Sequence, residues 1–252
     1  MSDALRESVA SAWCLLRRLP LFFRATPKTP LRVLGIVAFD ALHVLRTSRP
    51  LTDQNVDELA TFLDFEGCAN AEWDNKQRCQ NECRAIRQRL EDAGLGGCIK
   101  EYLHQLRALE STRPAPRGDL RRFTEVREYR EAVARLSLST AAGIAQQPLD
   151  ADVDTLFRIL MQCQIVDDVL DYDEDVSRGL PSFLTASESR SDALGWTAEA
   201  ARSYAAAPAP GNHSAMFPFR AALWLFTVVA KVVIHISPSA HQTVKTHVPQ
   251  RP

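Results

Sequence analysis

The chain has 252 residues, 46% of them hydrophobic and 24% charged. That length suits one large domain, and the apolar fraction is ample for a core. The formal net charge of −1 supplies no global field for a polyanion, so no nucleic-acid partner is expected.

Helical periodicity dominates from end to end, with no internal repeat and no clear strand pattern. A first helix is predicted over about residues 3–18, closed by Pro20. Thr26-Pro27-Lys28-Thr29-Pro30 then reads as a linker. Thr29 and Pro30 look like an N-cap and first-turn pair for a helix running to about Leu45. A long, bent helical region is expected over about 52–93, capped by Thr52 or Asp53 and broken by Gly94, Gly96 and Gly97. Helices over about 98–111, 119–146, 150–176, 187–206 and 217–236 follow, with prolines or glycines between them. Residues 238–252 read as a flexible tail and residues 1–29 as an N-terminal helix plus linker. The expected fold class is all-α, a single-domain bundle of about eight helices around a central apolar pocket.

Six cysteines occur, at 14, 68, 79, 83, 98 and 163, with no C-x-x-C pair and no histidine at zinc-finger spacing. The N-terminal order, acids followed by Trp13-Cys14-Leu15-Leu16 and then Arg17-Arg18, is wrong for a signal peptide. Reduced thiols and a cytoplasmic location are expected. The most apolar stretch, Ala221 to Ile236, is interrupted by Lys231. Its uncharged run is too short to span a bilayer. A buried core helix is the default expectation, with peripheral membrane contact or a homodimer face as the alternatives.

The densest chemistry lies in Gln164-Ile-Val-Asp-Asp-Val-Leu-Asp-Tyr-Asp-Glu-Asp175, six acids within nine residues after an apolar run. On a helix advancing about 100° per residue, Asp167, Asp171 and Asp175 fall at about 0°, 40° and 80°, Glu174 near −20° and Asp168 near 100°. Only Asp173 points away. Carboxylates at i, i+4 and i+8 repel one another, and a hard cation such as Mg2+ is the natural counter-charge. The alternative is a solvated acidic helix end. A multi-metal site needs acids from a second helix, and the candidates are Asp64, Asn70 and Asp74. Asn70 and Asp74 share a face as i,i+4 neighbours. Asp64, Glu66 and Glu72 project elsewhere, so the group makes no compact stripe. Arg130 and Arg135 could hold an anionic group, guanidinium being suited to phosphate oxygens, or could simply pair with Glu128 and Glu131. No G-x-S-x-G, Walker A or G-x-G-x-x-G pattern is present.

Gln164-x-x-Asp167-Asp168-x-x-Asp171 resembles the second aspartate-rich motif of trans-isoprenyl diphosphate synthases. The spacing Asp167-x3-Asp171-x2-Glu174-Asp175, followed by Arg178-Gly179, is similar to the matching motif of squalene and phytoene synthases. Tyr129-Arg-Glu-Ala-Val-Ala134 resembles the Y-x-x-x-V-A helix of phytoene synthases. The chain thus resembles the class I isoprenoid synthase superfamily, including its small bacterial branch, over roughly residues 123–184. The resemblance implies an isoprenoid-synthase-like bundle in which three Mg2+ ions bridge acids on facing helices to the diphosphate of a prenyl substrate. In that picture Asp167, Asp171 and Asp175 are Mg2+ ligands, joined by Glu174 and, on the facing helix, Asp64, Asn70 and Asp74. Asp167, Asp168 and Asp171 carry the catalysis, and Gln164, Arg178, Tyr129, Arg130 and Arg135 contact substrate. Ionisation of the allylic diphosphate would lead to condensation or cyclisation. Two features depart from elongating synthases: D-D-x-x-D is represented only by Asp64, Asn70 and Asp74, and Gly179-Leu180 replaces Gly-Lys. A head-to-head synthase, a cyclase and a catalytically degenerate protein that binds an isoprenoid or a protein partner all fit these departures. A helical scaffold without metal is the remaining alternative.

Overall fold

Several helix starts in this chain are set by short polar side chains that satisfy free N–H groups of the first turn. In the computed structural model, which describes residues 9, 13, 30–73, 80–206 and 217–237, nine helices and no strand occur among the described residues. They are α1 (Pro30–Thr47), α2 (Asp53–Trp73), α3 (Gln80–Asp92), α4 (Gly96–Ser111), α5 (Leu120–Ile144), α6 (Ala151–Leu170), α7 (Tyr172–Arg178), α8 (Arg190–Ala205) and α9 (Phe217–Ile236). The all-α expectation holds. The expected helix over 3–18 and the tail from 238 lie outside the described residues, save Val9 and Trp13.

The caps are explicit. Thr52 Oγ1 accepts from Asn55 N at 3.1 Å at the start of α2. Asp119 accepts from Arg121 N at 3.0 Å and Arg122 N at 3.2 Å to open α5. Asp150 accepts from Asp152 N at 3.0 Å to open α6. Gly179 ends α7 in the left-handed region, φ 65°, and Leu180 N returns to Asp175 O at 2.9 Å, closing the turn as a Schellman-type cap. No heavy atom lies near the site of a Cβ at Gly179, so the cost of a side chain there is conformational alone. Gly179→Ala is therefore expected to lower stability by about 1 kcal/mol, read as a small fall in melting temperature with unchanged helical content.

α6 is the central helix and packs on α5, α7, α8 and α9. Its sides feed two cores. One joins α1, α2, α4 and α5 around Phe62, Phe65, Tyr102 and Leu136, with Leu156 from α6. The other joins α5, α6 and α8 around Phe123, Phe157, Met161 and Tyr204, with Ala230 from α9. Arg46, near the end of α1, reaches Asp150 at 2.6 Å and Gln147 at 2.9 Å, which ties α1 to the start of α6.

Two expectations are corrected. The helix predicted over 150–176 is two helices, α6 and α7, joined at Asp171 (φ −95°, ψ 12°). The helical region expected over 52–93 is represented among the described residues by α2 and α3. The stretch expected as a buried core helix forms α9, but only 22% of residues 219–236 are buried, and by length and composition this segment could cross a membrane. Arg220 and Lys231 do not shorten it, because two cations leave the window apolar on average. Cys98 and Cys163 form no disulfide.

Candidate functional site

Five helices line an open-mouthed apolar cavity of about 450 Å3. α1 contributes Leu34, Ala38 and Phe39, α2 contributes Leu63, Glu66 and Gly67, and α5 contributes Ser137, Leu138 and Ala141. α6 supplies Ile159, Leu160, Cys163, Gln164 and Asp167, and α9 supplies Phe219, Ala222 and Phe226. On each helix these residues recur at steps of three or four, the pattern of one face turned inward. The polar atoms are few. Gln164 Oε1 is buried without a hydrogen-bond partner. Glu66 Oε1 accepts from Ser137 Oγ. Burial pushes the Cys163 thiol up to about 11, reinforced by the charge of Asp167, so the thiol stays protonated near neutrality.

Asp167 belongs both to this cavity and to the acid row. Asp171 N donates to Asp167 O at 2.8 Å, and Asp175 N donates to Asp171 O at 2.9 Å. The i,i+4 relation therefore runs through the junction of α6 and α7, and the three acids stand on successive turns. They sense one another. Burial raises the Asp175 carboxyl; a Ser182 hydrogen bond and Arg130 lower it, and the charges of Asp171 and Asp167 raise it. Asp171 is exposed, and its side chain makes no capping hydrogen bond to α7.

The other members of the predicted stripe are committed elsewhere. Asp168 is turned inward and is 2% exposed. Its Oδ1 accepts from Arg130 Nη2, and its Oδ2 accepts from Phe183 N at 2.7 Å. Burial pushes its carboxyl up to about 6, against the pull of Arg130 and the Phe183 N–H. Asp168 thus anchors the buried segment Pro181–Ser187 to α6 and stands apart from the row of Asp167, Asp171 and Asp175. Glu174 is exposed and pairs with Arg178 at 2.6 Å.

The predicted substrate contacts divide in the same way. Gln164 lines the cavity one turn before Asp168. Tyr129 donates to Glu110 at 2.6 Å, toward α4 and away from the cavity. Arg135 is exposed beside Asp154 at 4.0 Å, with its guanidinium 3.8 Å from the centre of the Phe157 ring. Arg130 spends its charge on Asp168 beneath the acid row. Arg178 lies on the outer surface with Glu174. On the facing helix, Asp64 is not among the cavity residues. Asn70 sits one turn beyond Glu66 on α2, but its side chain, like all of Asp74, lies outside the described residues.

Glu66 is the functional candidate that sequence reasoning missed. Its signal was placement alone: Leu63, Glu66 and Gly67 are an i, i+3, i+4 set on one face of α2. Among the described residues, no three His, Cys, Asp or Glu side chains already converge to hold a metal ion. The acids form a row along the helix, not a cage around one point. No known family, no curated protein and no solved structure matches the chain.

Proposed function

We propose that the protein binds a prenyl diphosphate together with Mg2+ and ionises it, the allylic cation then undergoing condensation or cyclisation. One observation carries the reading: Asp167 is at once the first acid of a three-turn row and a wall residue of an apolar cavity large enough for a prenyl chain. An anionic head and an apolar tail would each meet their own chemistry at one junction.

The residues fit the ion. Asp167, Asp171 and Asp175 are hard oxygen donors on successive turns, spaced by about 5.4 Å of helix pitch. Their mutual repulsion is the penalty a cation relieves. When bound, Mg2+ neutralises diphosphate oxygens and makes the diphosphate a competent leaving group. The allylic C–O bond breaks, its electron pair leaves with the diphosphate oxygen, and a cation remains on carbon. The chain's own residues then govern the fate of that cation. The apolar walls from α1, α5 and α9 keep water from it. The unpartnered Gln164 carbonyl oxygen offers the negative end of a dipole inside those walls. Glu66, held by the Ser137 hydroxyl, supplies a carboxylate on the facing wall. Arg130 and Asp168 act as positioning residues, fixing the end of α6 against α5 and the segment after α7.

The test is direct. Purified full chain with geranyl, farnesyl or geranylgeranyl diphosphate is expected to release inorganic diphosphate only when Mg2+ is present. Absence of release from all three would end the enzymatic reading. A second reading, a catalytically degenerate protein that binds an isoprenoid, is favoured by the commitment of Asp168 to Arg130 and of Glu174 to Arg178. It predicts Mg2+-dependent heat of binding by calorimetry with the ligand recovered unchanged. A scaffold without metal predicts a melting temperature insensitive to Mg2+ and diphosphate.

A further inference from the structure

α9 has two apolar faces, and the packed core uses only one. Phe219, Leu223, Thr227 and Ala230 are buried. On the opposite side Trp224 is 67% exposed, Leu225 52%, Val232 51% and Ile236 68%. With Val229, 36% exposed, the exposed arc spans about 140° of the helix and includes one polar side chain, His235, near its C-terminal end. Such an arc on one helix is more than scattered surface hydrophobes.

What borders the arc identifies what covers it. Along one edge lie Arg220 and Lys231, both exposed, at about 220° and 240° when Leu225 is set at 0°. Along the other edge lie the cavity residues Ala222 and Phe226, at about 60° and 100°. No acid occurs in α9. After Glu199 the whole chain carries no acidic residue, and its charged side chains there are Arg202, Arg220, Lys231, Lys245 and Arg251. The protein as a whole is near neutral, so this one-signed end is a local asymmetry. An apolar arc with Trp on it and cations at its flank is the pattern of a helix lying in a lipid interface. Leu34 of α1, 46% exposed, lines the same cavity and extends the apolar rim beyond α9.

We propose that the outer face of α9 docks the protein on the surface of an anionic lipid bilayer, with the cavity rim beside the acyl chains. The helix lies along the membrane and does not cross it. Its inner face is packed on α6, whose Asp154 and Arg158 are only partly buried, and spanning would carry such charges into hydrocarbon. The inference concerns lipid binding alone and does not depend on the diphosphate chemistry.

Cosedimentation of the full chain with vesicles is the test, using phosphatidylcholine alone and phosphatidylcholine mixed with phosphatidylglycerol. Stronger binding to the mixed vesicles is expected, weakened as salt rises from about 0.1 M toward 1 M and the Debye length shrinks. Leu225→Glu with Val232→Glu is expected to weaken binding at least about tenfold while melting temperature and helical content stay at wild-type values. Arg220→Gln with Lys231→Gln should remove the preference for anionic vesicles and leave the apolar component. Four results would overturn the proposal: no sedimentation with either vesicle, retention in the membrane after alkaline carbonate extraction, a wild-type dimer in buffer that the double Glu variant converts to monomer, or a fall in melting temperature in that variant. The second indicates a spanning helix, the third a contact between copies, and the fourth a face covered by the chain itself.

Discussion

Asp171→Ala is expected to lower Mg2+-dependent diphosphate release by about 100- to 1,000-fold, the range found when one preorganised charge-stabilising group is removed from an active site. The residue is chosen because its side chain is exposed and makes no capping hydrogen bond to α7. Its loss should leave the melting temperature in the absence of Mg2+ unchanged, so a drop in rate is not a folding defect in disguise. It stands between Asp167 and Asp175 along the row, and an ion shared by neighbouring carboxylates loses a ligand whichever pair it bridges. Asp173→Ala is the control. Asp173 is exposed, equally acidic and off the row, so a purely electrostatic contribution of local charge would move both variants alike. Two outcomes would sink the assignment: Asp171→Ala retaining wild-type release, or Asp173→Ala losing as much. Mg2+ titration adds a second readout, since the Asp171 variant should need more Mg2+ for half-maximal release.

The acid row shows what a sequence reveals about such a site and where it stops. Spacing at i, i+4 and i+8 is a local property, and it survives the break at Asp171 because the hydrogen bonds from Asp171 N and Asp175 N carry the register across. Caps are equally local, which is why Thr52 and Gly179 were legible. Asp168 was not. A residue about 100° from its neighbour sits on the border between the solvent side and the core. Its fate depends on whether a cation waits on the adjacent helix. Arg130 does, and no pattern within 164–175 says so. Glu66 was missed for the matching reason: its position on α2 was known, but not which side of α2 lines the cavity. The exposure of α9 is a third instance. An apolar composition fits a core helix and an interfacial helix equally, and only docking against α6 and α8 decides how much of the circumference is left over.

Arg130→Met should destabilise the protein by about 3–5 kcal/mol, because it strips the counter-charge from a buried carboxylate. For a chain of this length each kcal/mol moves the melting temperature by about 2–4 °C, so the effect is easily measured. The pH dependence distinguishes this cause from lost packing. Asp168 already has its carboxyl pushed up to about 6 by burial, with Arg130 holding it down. In the variant that restraint is gone and the folded-state value rises further above the unfolded value of about 3.9. Between the two values the folded state holds a proton that the unfolded state has released, so stability is lost as pH rises through that window. The deficit of Arg130→Met relative to wild type should therefore be smallest near pH ~5 and grow toward pH ~8, as the unpaired carboxyl is driven to ionise. Adding Asp168→Asn keeps an acceptor for Phe183 N, removes the titration and should recover more than half of the loss at pH ~8, with a stability that no longer falls as pH rises through this window. A deficit in Arg130→Met that shrinks as pH rises would mean that the pair does not control this carboxyl. The end of α6, and with it the placement of Asp167 and Asp171, would then rest on packing and not on charge.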